Sequence, residues 1–184
     1  MTTRYIEYMP VDELVPAVQN PKQHDAEQIA QSQHRFGYVE PVVLDERTQR
    51  LVAGHGRLEG LALLWAAGFD PPEGILEDER GRWNVPVTRG WSSTNDVEAA
   101  ALLLAVNKLV MVGGMDQDAL SQMLSDMNDE LTSWEGIGFS DVELADLLTR
   151  RDPRFELIVS AATESDRHRI AATVRDMGGE ARYL

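Results

Sequence analysis

The chain has 184 residues, 43% of them hydrophobic and 26% charged, which suits one ordinary globular domain or one domain with a small appendage. Its 17 Lys and Arg against 31 Asp and Glu leave a formal charge of −14, a balance that repels a phosphate backbone and disfavours direct DNA binding without a partner. There is no cysteine, which excludes disulfides, thiolate metal sites and thiol nucleophiles. No apolar run approaches the roughly 20 residues of a membrane span, and the N-terminus lacks the apolar core of a secretory signal. The chain is therefore expected to be cytoplasmic and free of membrane.

In chain order, Arg4 to Met9 reads as a short strand, followed by a turn-like segment at Pro10–Leu14 and a turn at Asn20-Pro21. Asp25 opens a helix that carries Ile29 and Phe36 on one side and closes at Gly37. Pro41 to Leu44 and Arg50 to Ala53 are two strands about the polar DERTQ turn. The spacing of Leu58, Leu61, Ala62, Leu64 and Trp65 predicts a helix over Arg57–Ala67, and residues 70–82 read as a surface loop. Val85-Pro86-Val87 is a strand whose proline points to an edge or an end. Thr94-Asn95-Asp96 caps a long apolar helix to about Val112, with its Leu102-Leu103-Leu104 run assigned to the core.

Beyond the Gly113-Gly114 breaker the pattern changes. Residues 116–150 hold one basic group against nine acids, and two acidic amphipathic helices are expected there, over Asp116–Leu131 and Asp141–Leu148. Their seam is read as Leu120, Met123, Leu124, Leu144 and Leu147. The tail reads as strand (155–159), helix (164–177) and terminal strand. This gives a main domain at 1–113, an acidic helical extension at 114–150 and a β-α-β appendage at 151–184. The whole chain reads as a mixed α/β protein with short strands.

Three segments carry candidate chemistry. In Leu51–Leu58 a strand runs into Gly54-His55-Gly56-Arg57 and a helix follows at once. Glycine admits a ligand close to the backbone, the free N–H groups of a helix start attract anions, and arginine adds a forked contact to phosphate oxygens. His55 adds a donor or proton carrier. The same residues also make a plain strand-to-helix turn with an arginine in solvent, and spacing alone leaves both open. On the long helix, Glu98, Asn107 and Lys108 interrupt an apolar run and serve either a ligand or a solvated stripe. The third segment, Gly37–Val43, passes from helix to strand through Glu40. The four histidines have no metal-site spacing, and there is no GxxxxGK[ST] loop and no GxSxG elbow.

Taken together, NPKQH (20–24), FGYVEPVVL (36–44), LVAGHGRLEGL (51–61), VPV (85–87) and EAAALLLAVNKL (98–109) resemble the ParB/sulfiredoxin-like domain, and most closely the ParB-like domains of phages and mobile elements associated with DNA modification methyltransferases. The resemblance covers about residues 4–148 and implies an α+β fold, a mixed sheet with flanking helices, and a nucleotide pocket for CTP or ATP/ADP with Mg²⁺. In it Gly54, His55, Gly56 and Arg57 would cradle phosphates, Pro41 would lie by the nucleotide, and Asn107 would hold the metal. The sulfiredoxin cysteine is missing, so sulfinic-acid reduction is excluded. An acidic block of net −8 stands where partition proteins carry a helix-turn-helix. Val106 stands where relatives carry an acid before the metal-binding asparagine, which leaves Glu40 and Glu98 as the candidate catalytic carboxylates.

The leading expectation is a nucleotide-binding ParB-like module of phage or mobile-element DNA metabolism, with weak NTPase turnover left open. The alternatives are an amino-acid kinase of the same superfamily, with Glu40 or Glu59 as base, and a non-enzymatic adaptor for a DNA-modifying protein partner. The tail's open sheet border points to a homodimer.

Overall fold

The structure is a computed structural model and describes residues 3–128, 130–149 and 163–176. The described residues fall into two compact units. One takes the chain up to Met115 together with Leu131–Ser140, and the other takes Asp116–Glu130 and the chain from Asp141 onward.

In the first unit β1 (Tyr5–Pro10) leads through a 3₁₀ turn (Val11–Glu13) to α1 (Ala26–Phe36). The Asp25 side chain accepts from the N–H of Gln28, and Gly37 ends the helix at φ 81°. β2 (Val42–Asp45) and β3 (Arg50–Ala53) form an antiparallel hairpin about residues 46–49, and α2 (His55–Ala66) follows directly. β4 (Leu76–Glu77) and β5 (Trp83–Trp91) precede α3 (Asp96–Val112). The sheet order is β1-β5-β2-β3, with β5 antiparallel to β1 and parallel to β2, and β4 added beside the start of β5. The free edge of β3 is covered by Val15, whose carbonyl accepts from the N–H of Leu51 at 2.9 Å.

Alternation along the strands decides where the core lies. Val42 and Leu44, Leu51, Val85 and Val87 share one buried cluster with Ala30, Leu61 and Leu64 of the helices. Val52 is buried on the opposite face of β3, against which α3 packs. α1 and α2 meet closely because Gly60 has no side chain: a Cβ there would stand 2.8 Å from Gln33 Oε1 and 2.9 Å from Ile29 Cγ2.

Two polar networks fix the sheet's ends. Asp45 is fully buried and accepts from the Ser93 N–H (2.8 Å), Ser93 Oγ (2.7 Å) and Thr48 Oγ1 (2.8 Å), which ties the end of β2 to the entry of α3. Burial raises its pKa, but these hydrogen bonds prevail and hold the carboxyl below its ordinary value. Arg89 of β5 clamps Glu46 with Nε and Nη2 at 2.8 and 2.7 Å and reaches Glu7 of β1 at 2.5 Å, so one guanidinium spans β1, β5 and the end of β2.

Several expectations need correction. The strand at Val85–Val87 is nine residues long and interior to the sheet, not an edge. Pro86 is tolerated because the ladder on that side breaks: β4 ends its pairing at Asn84 and β2 begins at Val87, so the missing N–H falls in the gap. The 70–82 loop contains β4. α2 starts at His55, two residues before the predicted Arg57. The apolar helix is not core along its length, since Leu103 is its one buried residue and Leu104 is exposed. It meets the sheet at β3 and then runs on, leaving Leu109, Val110, Met111 and Val112 exposed.

In the second unit α4 (Gln117–Asn128), α5 (Asp141–Thr149) and α6 (Glu164–Asp176) are helical. Leu124, Leu144 and Leu147 are buried as the seam requires, whereas Met123 is 61% exposed, lying a helical step away from the Leu120–Leu124 face. The two tail strands expected at 155–159 and at the terminus lie outside the described residues. Among the described residues no single helix is long and apolar enough to cross a membrane.

Core and exposed leucines should therefore respond differently. Leu61→Ala should lower unfolding free energy by about 2–5 kcal/mol, and Leu109→Ala should stay within about 0.5 kcal/mol, by urea titration. A second prediction concerns acid. The Arg89 hydrogen bonds pull the Glu46 pKa from 4.5 to about 2, so the pair's stabilisation is complete above pH 4.5 and is lost as pH falls toward 2. Glu46→Gln should lose stability at pH 7 and show a shallower decline between about pH 5 and pH 2 than the wild type. Parallel wild-type and variant curves would show that the pair contributes nothing.

Candidate functional site

The site grows from the corner where β3 becomes α2. Gly54 is the N-cap of α2 at φ 98°, a left-handed conformation that side chains resist. It also sits directly on β2, since a Cβ at this position would fall 2.5 Å from Val42 Cγ1. No side chain caps α2, whose first backbone hydrogen bond runs from the Leu58 N–H to the Gly54 carbonyl at 3.2 Å. The N–H groups of residues 55–57 thus precede the helical ladder.

Arg57, on the first turn, is held from below and engaged from above. Gln33 Nε2 donates to its carbonyl at 2.9 Å, and its Nη1 pairs with Glu40 Oε2. The Arg57 side chain is 24% exposed and that of Glu40 is 77% exposed. Arg57 Nε is buried without a hydrogen-bond partner, and so are Tyr38 Oη and Gln33 Oε1. Burial pushes the Tyr38 hydroxyl up to about 12; the Arg57 charge acts against this and the Glu40 charge adds to it, which places all three in one electrostatic neighbourhood.

His55 does not offer both ring nitrogens to a ligand. Its Nε2 accepts from the Ala17 N–H at 3.1 Å and anchors the loop before α1. Burial, and then the His24 charge, lower its pKa against a smaller opposing effect of Glu59, which favours the neutral ring. A Cβ on Gly56 would stand 2.7 Å from the His24 ring, so glycine allows that histidine to lie on the helix start, where its Nδ1 meets Glu59 Oε2 at 3.1 Å.

Of the residues read from sequence, Glu40, Pro41, Gly54, Gly56 and Arg57 come together here, with His55 turned to the loop. Asn107 reaches the same NPKQH segment from α3, its Nδ2 donating to Asn20 Oδ1 at 3.4 Å. Glu98 does not join them. It lies nine residues before Asn107, about 13 Å along the helix, and its carboxylate accepts from the Thr94 N–H at 2.5 Å and from Thr94 Oγ1, while its own N–H donates to the Asn95 cap. Gln33, Tyr38 and His24 were given no role by motif, whereas Glu59, the alternative candidate base, is engaged with His24 Nδ1. Gln33 left the clearest trace, a polar residue on the Ile29–Phe36 face of an amphipathic helix.

No family model matches the chain. It is 40% identical over 62 residues to the ParB-like nuclease domain-containing protein YnaK of Escherichia coli (strain K12), an alignment that covers 32% of this chain and 70% of YnaK. The solved structure of a Pnob8-like ParB-N domain gives a loose likeness, with a TM-score of 0.38 and 18% identity over 95% of this chain and 70% of that one.

The Gly54 corner yields a direct test. Gly54→Ala combines a positive φ with a clash against a buried strand and should cost about 2 kcal/mol or more in urea unfolding. Gly68→Ala also has a positive φ but meets nothing within 4 Å, and should cost less. Equal costs would show that contact with Val42 does not constrain the corner.

Proposed function

The chain belongs to the ParB-like family, and from that premise we propose that it binds a nucleotide, CTP or ATP/ADP with Mg²⁺, through its phosphates at the start of α2. The observation that carries this reading is Arg57. Its guanidinium already holds a carboxylate beside an uncapped helix N-terminus, while its Nε remains buried and unpartnered. An anion with several oxygens fits that donor set: the N–H groups of residues 55–57, the forked guanidinium and the absence of side chains at Gly54 and Gly56. Asn107 suits a magnesium ion bound chiefly by phosphate, because Mg²⁺ takes few protein ligands and prefers oxygen, and the Asn107 amide oxygen is of that type. When bound, the ion would neutralise phosphate charge.

The chain's own residues supply position and orientation. Gln33 and the corner on Val42 fix the Arg57 backbone, and the Asn20–Asn107 contact holds the NPKQH segment beside α3. The net charge of −14 disfavours binding to a DNA backbone, which agrees with a role beside a DNA-modifying protein partner in phage or mobile-element DNA metabolism.

Calorimetric titration of CTP, ATP and ADP with Mg²⁺ tests the reading. Saturable binding by the wild type should weaken by about tenfold or more in Arg57→Ala, as loss of a charge-assisted phosphate contact implies. Absence of binding by all three nucleotides, or equal affinity in the variant, would refute it.

A further inference from the structure

The partner of Arg57 is built into the backbone. Glu40 precedes Pro41, and a residue before proline is confined to extended conformations. The next residue, Val42, is fully buried and packs against Gly54, three residues from Arg57 along the chain. Glu40 and Arg57 therefore meet through two elements locked by packing.

The fit is incomplete. Glu40 engages Nη1 through one oxygen, leaving Nε unpartnered, and the buried Tyr38 hydroxyl nearby is also unpartnered. A phosphate group, with more oxygens and more charge than a carboxylate, can take Nη1 and Nη2 together at the end of the guanidinium where Glu40 now stands.

We infer that Glu40 is an intramolecular occupant of the anion site, which holds Arg57 when no ligand is bound and must be displaced by phosphate. This rests on the phosphate reading above and adds to it what sets the affinity. Glu40 then acts against binding, the reverse of a carboxylate that serves as a base or a metal ligand. Its side chain is exposed, so removing the charge leaves the fold intact.

The experiment is calorimetry of the full chain with CTP·Mg²⁺, ATP·Mg²⁺ and inorganic pyrophosphate, on wild type, Glu40→Gln, Arg57→Ala and the double variant. Glu27→Gln, which removes the same charge from an exposed position on α1, controls for net charge. Glu40→Gln should tighten binding about three- to fivefold, the scale of a partly exposed ion pair, while Glu27→Gln changes it by less than about twofold. In the Arg57→Ala background, Glu40→Gln should add nothing. If wild type binds but Glu40→Gln binds equally or more weakly, or if the gain persists without Arg57, the inference is overturned and the phosphate reading stands. If neither wild type nor Glu40→Gln binds any of the three, the phosphate reading fails and the inference with it.

Discussion

The close approach of Gly54 to Val42 is the constraint from which the first unit is organised. With any side chain at 54, β3 could not turn into α2 against the buried face of β2. Because it does turn there, α2 lies over the sheet and meets α1 through Gly60, and Arg57 comes to face the entry of β2 where Glu40 stands. Packing at the corner and chemistry at the helix start are thus one feature. The backbone that closes the core also sets the position of the cation.

Around this corner the chain isolates positive charge within an acidic molecule. Arg89 is engaged by Glu46 and Glu7, Arg82 by Asp78 and Glu13, and Arg47 by Asp96 and Ser93. These arginines join strands and loops and have well-matched partners. Arg57 differs in that it pairs with one oxygen of an exposed carboxylate while an N–H of its fork stays buried and unmatched. A buried donor without a partner is costly, and a ligand that satisfies it recovers that cost on binding. The difference between Arg57 and the other three lies in their partners, not in residue type.

Much of this was legible in the sequence because it is local. Asp25 and Gly37 bound α1, Asn95 caps α3, and the DERTQ turn joins β2 to β3, each through bonds spanning a few residues. The Gly54–Arg57 segment was legible because glycine spacing at a strand end has a direct backbone consequence. What escaped depends on distant partners. Pro86 lies in an interior strand because two neighbouring strands leave a gap beside it, and α3 leaves the core because its packing on the sheet is at β3 over a limited length. Glu98 was grouped with Asn107 because they share a helix, yet its contact with Thr94 is a cap. Tyr38 has no local signature and Gln33 only its place on the apolar face of α1; they matter because α1 and the loop after it fold back onto α2.

The most direct test of the central claim is a crystal structure of the chain with CTP or ATP and Mg²⁺. The account predicts phosphate oxygens against the N–H groups of residues 55–57, with Arg57 Nη1 and Nη2 turned onto phosphate and Glu40 released. Nucleotide bound elsewhere, with the Arg57–Glu40 pair intact, would contradict it.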